Sequence, residues 1–343
     1  MIRFGPAGIP LSCKGRTLRD GIEDVHNLGL SALEVQLVRI NLVERYPSED
    51  ELGLSLRQVP GDLVVKMRRK DGKNVKEITN LNTRIEKGDI LYSFPSSIGH
   101  DFRELADLKV MAKELDVEMS LHTPYYMDMI AGDETRDKSE ECIRWSGLIA
   151  GEIGATVCVT HMGLYGMNPK EVAAKRVEES LRRTRSWFKK SNIAVPIGLE
   201  TAGKQDVFGT LEEVMALCKK LDGLVPVINF THLHSREGGS LKKKEDFEDI
   251  FHKCGKFSKR LHCHFSGVEH EEGNELRYTP IKKGDLRFEP LIETILENRH
   301  DVVLISGSPL LEHDAMYMKV IMERVIMRRI TKSKRKKEDE DAN

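Results

Sequence analysis

The chain has 343 residues, enough for one large domain or two. Its 54 Lys and Arg nearly balance 55 Asp and Glu, and the pI is about 6.9. No global charge therefore draws it to nucleic acid or a membrane, and any such contact must rest on a local patch. No apolar run approaches the roughly 18–20 residues of a membrane span. Six cysteines (Cys13, Cys142, Cys158, Cys218, Cys254 and Cys263) form no Cys-x-x-Cys pair, so a reduced, cytoplasmic chain is expected.

Met1 to Gly5 reads as a strand rather than a leader peptide. From there strand-like and helix-like segments alternate. Strands are predicted at 2–6, 32–38, 117–121, 156–160, 195–199, 225–229, 259–265 and 301–306. Helices are predicted at about 17–28, 101–115, 136–152, 169–190, 210–221, 243–255, 287–298 and 313–330. Strands apolar on both faces, such as Val302-Val303-Leu304-Ile305, point to a parallel sheet covered by helices. Eight such units predict a closed (β/α)8 TIM barrel from residues 1–43 and 100–330. A doubly wound open sheet is the alternative, but no glycine-rich dinucleotide turn supports it.

Residues 44–99 break the rhythm. Asp71-Gly72 between alternating runs signals a hairpin, and a further strand is expected near Gly88 to Phe94. This predicts a small all-β insertion after the second strand, on the barrel's C-terminal face. Its Lys66, Arg68, Arg69, Lys70, Lys73 and Lys76 form a candidate phosphate-backbone contact, weighed against a merely solvated hairpin. Residues 331–343 carry a basic block and then an acidic one, which predicts a disordered charged tail.

Chemistry-bearing residues recur where the strands end. They are His122, His161, Glu200, His232 with Asn229 three residues before it, and the pair His262 and His264. Imidazole and carboxylate suit zinc and similar metals. Strand ends of a β/α barrel converge on one pocket, so ligands scattered in sequence become neighbours in space. Glu200 ends an apolar run, where a carboxylate needs a partner or a metal. His262 and His264 share one face of their strand, and His264, nearer the end, is the favoured ligand. His234 reads as a solvated loop residue or as a donor behind a ligand.

These motifs resemble the endonuclease IV family of apurinic/apyrimidinic endonucleases, especially its archaeal branch. Gly198-Leu199-Glu200-Thr201-Ala202-Gly203 is similar to the family's glutamate motif, and Asn229-Phe230-Thr231-His232 to its Asp-x-x-His. His264-Phe265-Ser266-Gly267 stands where the family has His-x-Asn-Asp, and His122 and His161 fall at its first two zinc ligands. The resemblance spans the barrel and not the insertion. It implies a zinc-dependent phosphodiesterase acting on abasic or damaged DNA, with Glu200 as the central catalytic carboxylate bridging two ions. Asn229 replaces an aspartate, Leu276-Arg277-Tyr278 replaces an Asp-x-His, and Ser306-Gly307 stands where a glutamate is expected. With those carboxylates gone, one or two metal ions are expected rather than three. A non-catalytic nucleic-acid-binding barrel and a xylose-isomerase-like sugar isomerase are the alternatives.

Overall fold

The computed structural model describes residues 1–341. In chain order the elements begin β1 (Ile2–Pro6), α1 (Leu18–Asn27), β2 (Ala32–Gln36), β3 (Val43–Arg45), β4 (Val64–Asp71), β5 (Asn74–Ile78) and β6 (Ile90–Ser93). They continue α2 (Phe102–Glu114), β7 (Glu118–His122), α3 (Asp133–Ile153), β8 (Cys158–Thr160), α4 (Lys170–Lys190), β9 (Ile197–Glu200), α5 (Leu211–Lys220) and β10 (Leu224–Asn229). The last are α6 (Phe230–Arg236), α7 (Lys244–Cys254), β11 (Arg260–Phe265), β12 (Gly267–Glu271), β13 (Asn274–Thr279), α8 (Phe288–Asn298), β14 (Asp301–Ser306) and α9 (Glu312–Asp341).

Eight parallel strands run β1-β14-β11-β10-β9-β8-β7-β2. A parallel bridge between Ala7 and Glu34 brings the two ends of that order together, so the sheet is a nearly closed (β/α)8 barrel, as the eight predicted units require. Gly5 makes the approach possible, because a Cβ there would fall 1.8 Å from Ala32 O. Outward strand residues such as Leu33, Val35, Leu121, Cys158, Cys263 and Leu304 pack under the helices. Inside, two small apolar clusters, Ala32/Val303/Ile305 and Val157/Val159/Val227, fill part of the barrel. Beside them, Glu34, Glu200, Asn229, His262 and His264 make the other inward positions polar. All six cysteines are buried and free. Among the described residues, no helix is long and apolar enough to cross a membrane.

The insertion is a four-stranded antiparallel sheet in the order β3-β6-β4-β5. Its hairpin turns at Gly72 and Lys73, with Asp71 opposite Asn74, as the Asp-Gly signal predicts. It does not lie over the C-terminal face. The chain leaves from that end, but the sheet packs along the flank of the barrel. Arg57 pairs with Glu152 and Lys66 with Glu141, both on α3, at 2.6 Å. Leu56, Val64, Met67 and Leu91 join the main hydrophobic core. Burying that apolar face on α2 and α3 outweighs any attraction to the polar mouth.

Two of its six cations are thereby taken. Lys66 is buried over the Tyr92 and Trp145 rings, and Arg69 holds Asp89 through two hydrogen bonds of 2.8 and 2.7 Å. Arg68, Lys70, Lys73 and Lys76 stay exposed. The charged tail also departs from expectation. Helix α9 runs on to Asp341, since Lys, Arg and Glu are good helix formers and no Gly or Pro stops propagation from the packed turns before them.

Candidate metal centre at the barrel mouth

Alternation along each strand decides which side chains enter the mouth. Glu34 on β2, His122 at the end of β7, Glu200 at the end of β9, Asn229 on β10 and His264 on β11 all point inward. His161 and His232 follow directly after β8 and β10. Together with Gln36, Tyr125 and Tyr278 they line a cavity of about 310 Å³. Among the described residues, no Lys or Arg lines it.

Glu200 is the hub. Its Oε2 lies 2.9 Å from His122 Nε2 and 3.2 Å from His161 Nδ1. Its Oε1 accepts from His264 Nδ1 at 2.8 Å and from Asn229 Nδ2 at 2.8 Å. Burial alone would raise this carboxyl's pKa, yet the imidazoles around it hold it well below the usual range.

His264 bridges two carboxylates. Its Nε2 lies 2.9 Å from Glu34 Oε2, while Nδ1 faces Glu200. Burial opposes its charge, but Glu34 and Glu200 on either side raise its pKa to about 10. His161, largely buried and with only Glu200 beside it, is pushed down to about 4.

Hydrogen placement shows which histidines can hold a metal. His122 Nδ1 donates to Thr123 O at 2.7 Å, and His232 Nδ1 to Thr201 O at 2.6 Å. A carbonyl only accepts, so each ring carries its lone pair on Nε2: that of His122 faces Glu200 Oε2, and that of His232 accepts from Tyr278 Oη. A backbone acceptor behind an imidazole is the usual support for a metal ligand. His122, His161 and Glu200 bring one ligand atom each within 4.8 Å of one another. The buried carboxylates here meet imidazoles rather than guanidinium or ammonium groups, so a divalent cation fits the site's charge as well as its donor set.

Several expectations need correction. Asn229 is engaged in hydrogen bonds at both ends of its amide. Its Oδ1 caps α6 by accepting from His232 N at 3.1 Å, and its Nδ2 donates to Glu200 and to Tyr278 Oη, both at 2.8 Å. With both ends engaged, it positions the acid and the phenol. His262 does not reach the mouth cavity. It sits one layer deeper, with Nε2 2.9 Å from Glu34 Oε2.

The supposed loss of carboxylates is also only partial. Glu34 is buried at the centre of the site, and Glu275 Oε2 lies 3.1 Å from His232 Nε2. Glu34 had a signal in the sequence, a charged residue on the inward phase of the apolar run Ala32-Leu33-Glu34-Val35. Glu275 stood among several nearby acids that could substitute for the missing carboxylates, and Tyr278 had no signal; only the β12–β13 hairpin carries the two back over the mouth. Tyr278 Oη lies 2.8 Å from His232 Nε2. Its ring fills the space beside Gly307, where a Cβ would come within 2.9 Å of it. A larger residue at the end of β14 would expel that ring.

His234 is fully buried rather than solvated. It groups with His270 and Asp285, but Leu241 N donates to its Nδ1 at 3.1 Å. The ring proton therefore sits on Nε2, 3.2 Å from Asp285 Oδ1, and no lone pair is left there for an ion. This trio ties α6 to the β12–β13 hairpin.

Around the mouth, the loops after the strands expose large apolar side chains. Tyr125 and Met167 are 78% and 100% exposed, with Tyr126 and Leu164 beside them in sequence. Lys14, Arg39 and Lys204 are exposed in loops of the same set. Composition signals had favoured the insertion's hairpin instead.

Residues 94–310 match the xylose isomerase-like TIM barrel family. The chain belongs to that family. An uncharacterized protein of Methanocaldococcus jannaschii is 29% identical over 211 residues, covering 59% of this chain and 76% of its own. Among solved structures, endonuclease IV from Thermus thermophilus superposes with a TM-score of 0.61 at 15% identity, covering 95% of this chain and 99% of its own. A D-tagatose 3-epimerase-like protein gives 0.54 at 20% identity, over 67% of this chain and 85% of its own. Both likenesses establish the barrel. Neither selects between cleaving a nucleic acid and rearranging a sugar.

Proposed function

We propose that this protein is a metal-dependent phosphodiesterase that acts on DNA at an abasic or damaged nucleotide, with His122, His161 and Glu200 holding the ion. The observation that carries the reading is the union of an imidazole–carboxylate cavity with a rim of exposed aromatic and apolar loop tips. A small-metabolite site has no use for Tyr125, Tyr126, Leu164 and Met167 facing solvent. An unstacked base or opened duplex step does, through stacking and wedging. The exposed Lys14, Arg39 and Lys204 suit the flanking phosphates. The superposition on endonuclease IV is consistent with this use of the barrel.

A divalent ion in the site would supply a polarised water, ionised near neutral pH. The protein's own groups do the rest. Glu200 orients His122 and His161. Asn229 holds Glu200 Oε1 and the Tyr278 hydroxyl in register. Tyr278, kept protonated by burial, donates its O–H to His232 Nε2 and so fixes that ring at the cavity wall. The test is incubation of the metal-loaded protein with a duplex containing one abasic site, beside a Glu200→Gln control. Incision lost in the control supports the proposal. Tight binding without incision by the wild type would make the protein a DNA-binding barrel instead.

One observation favours a second reading. Glu34 and Glu200 flank His264 at the floor of a cavity of only about 310 Å³, a size and acid pairing that suit proton transfer on a small sugar. Metal-dependent turnover of a ketose, with no incision of DNA, would select it.

A further inference from the structure

We infer that the barrel holds a second metal site beneath the first, made by Glu34, His262 and His264. The three ligand atoms lie within 4.8 Å of one another, and all three residues are buried. Glu34 Oε2 is 2.9 Å from His262 Nε2 and 2.9 Å from His264 Nε2. Ligand atoms on a tetrahedral zinc stand roughly 3.3 Å apart, from bond lengths of about 2.0–2.1 Å. An ion thus enters by replacing the shared protons, with the Glu34 oxygen and each imidazole nitrogen moving apart by a few tenths of an ångström.

The surroundings are arranged as supports for such ligands. Gln36 Nε2 donates to Glu34 Oε1 at 2.8 Å, which fixes the carboxylate and leaves Oε2 as the ligand oxygen. His264 Nδ1 donates to Glu200 at 2.8 Å, giving a carboxylate–imidazole–metal line. His262 supplies an independent sign. It is 6% exposed, and its Nδ1 has no hydrogen-bond partner. A ring that ligates through Nε2 must carry its proton on Nδ1, and His262 also lines a second cavity of about 350 Å³ at the N-terminal end of the barrel. That cavity gives an approach to the His262 ring from the end opposite the mouth. Two imidazoles and one carboxylate, with one open position, suit zinc or a similar borderline ion over calcium or magnesium.

The inference concerns metal content and stands apart from the reaction proposed above. The experiment is zinc stoichiometry by native mass spectrometry, with cobalt absorption in parallel, on wild type, His262→Gln and His161→Gln. Two ions in the wild type, one in each variant, and a different cobalt band lost from each are expected. A single ion unaffected by His262→Gln overturns the second site and leaves Glu34 as a hydrogen-bonded partner of the histidines. Should the His262 variant fail to fold, anomalous scattering at the zinc edge from wild-type crystals decides: a peak bonded to Glu34 Oε2 supports the site, and its absence overturns it. Two ions without DNA incision would reject only the phosphodiesterase proposal.

Discussion

The barrel mouth and the β insertion both bury carboxylates, but they partner them differently. In the insertion, Glu51 and Asp89 each meet a guanidinium. Arg45 grips Glu51 through hydrogen bonds of 2.7 and 2.6 Å, and Arg69 grips Asp89 through two more. Arginine does not release its proton, so such pairs are permanent and structural. In the mouth, Glu34 and Glu200 meet imidazoles, amides and the Ser120 hydroxyl. A proton shared between carboxylate and imidazole can be exchanged for a metal ion. The choice of cationic partner thus separates a fixed acid from an available one.

Glu200→Gln should give the largest effect, because it removes the shared partner of His122, His161 and His264. DNA incision should fall by about 100-fold or more, and one bound ion should be lost in the mass spectrum. Retention of both would dissolve the contrast between the two regions.

Next in size, zinc at about 100 times its dissociation constant should stabilise the wild type by about 2.7 kcal/mol. The rise in thermal midpoint should shrink in Glu200→Gln, which keeps only the deeper site, and persist in full in Asp89→Ala. A metal response confined to the insertion variant would reverse the assignment.

Asp89→Ala should cost about 2 kcal/mol in denaturant unfolding. That is less than the 3–5 kcal/mol of a fully buried broken pair, because water reaches part of Arg69. Its zinc content should be unchanged.

The smallest effect is acid sensitivity. The Arg45 hydrogen bonds lower the Glu51 pKa; for Asp89, burial pushes upward but Arg69 and the Glu86 N–H prevail and lower it. A depressed folded-state pKa means that the stabilisation is complete above the unfolded value of about 4 and is lost as pH falls through the folded value. Asp89→Asn should therefore flatten part of the acid limb of a stability–pH curve. An unchanged limb would show that Asp89 contributes no pH-dependent stability.

Within the site, the legible residues were those whose strand ends in them. His122, Glu200, His232 and His264 each close or follow an apolar run, and the structure brings all four to one cavity. Asn229 was legible in place but not in role, since only the start of α6 at Phe230 turns its oxygen into a cap. Glu275 was legible only as one of several acids near the missing ligands, and Tyr278 was not legible as a site residue. The reach of a hairpin back over a barrel mouth depends on packing such as the Tyr278 ring against Gly307, and no spacing in the chain encodes it.

The sequence by itself determined the eightfold alternation of strands and helices, and with it the barrel and the end at which its chemistry gathers. Periodicity is local, and the handedness and closure of β/α units follow from it. Tertiary structure alone decided which carboxylates meet which cations. Glu34 and His262 lie 228 residues apart along the chain and 2.9 Å apart in space. Such a contact depends on barrel register and stagger, which are fixed only when all eight strands have closed.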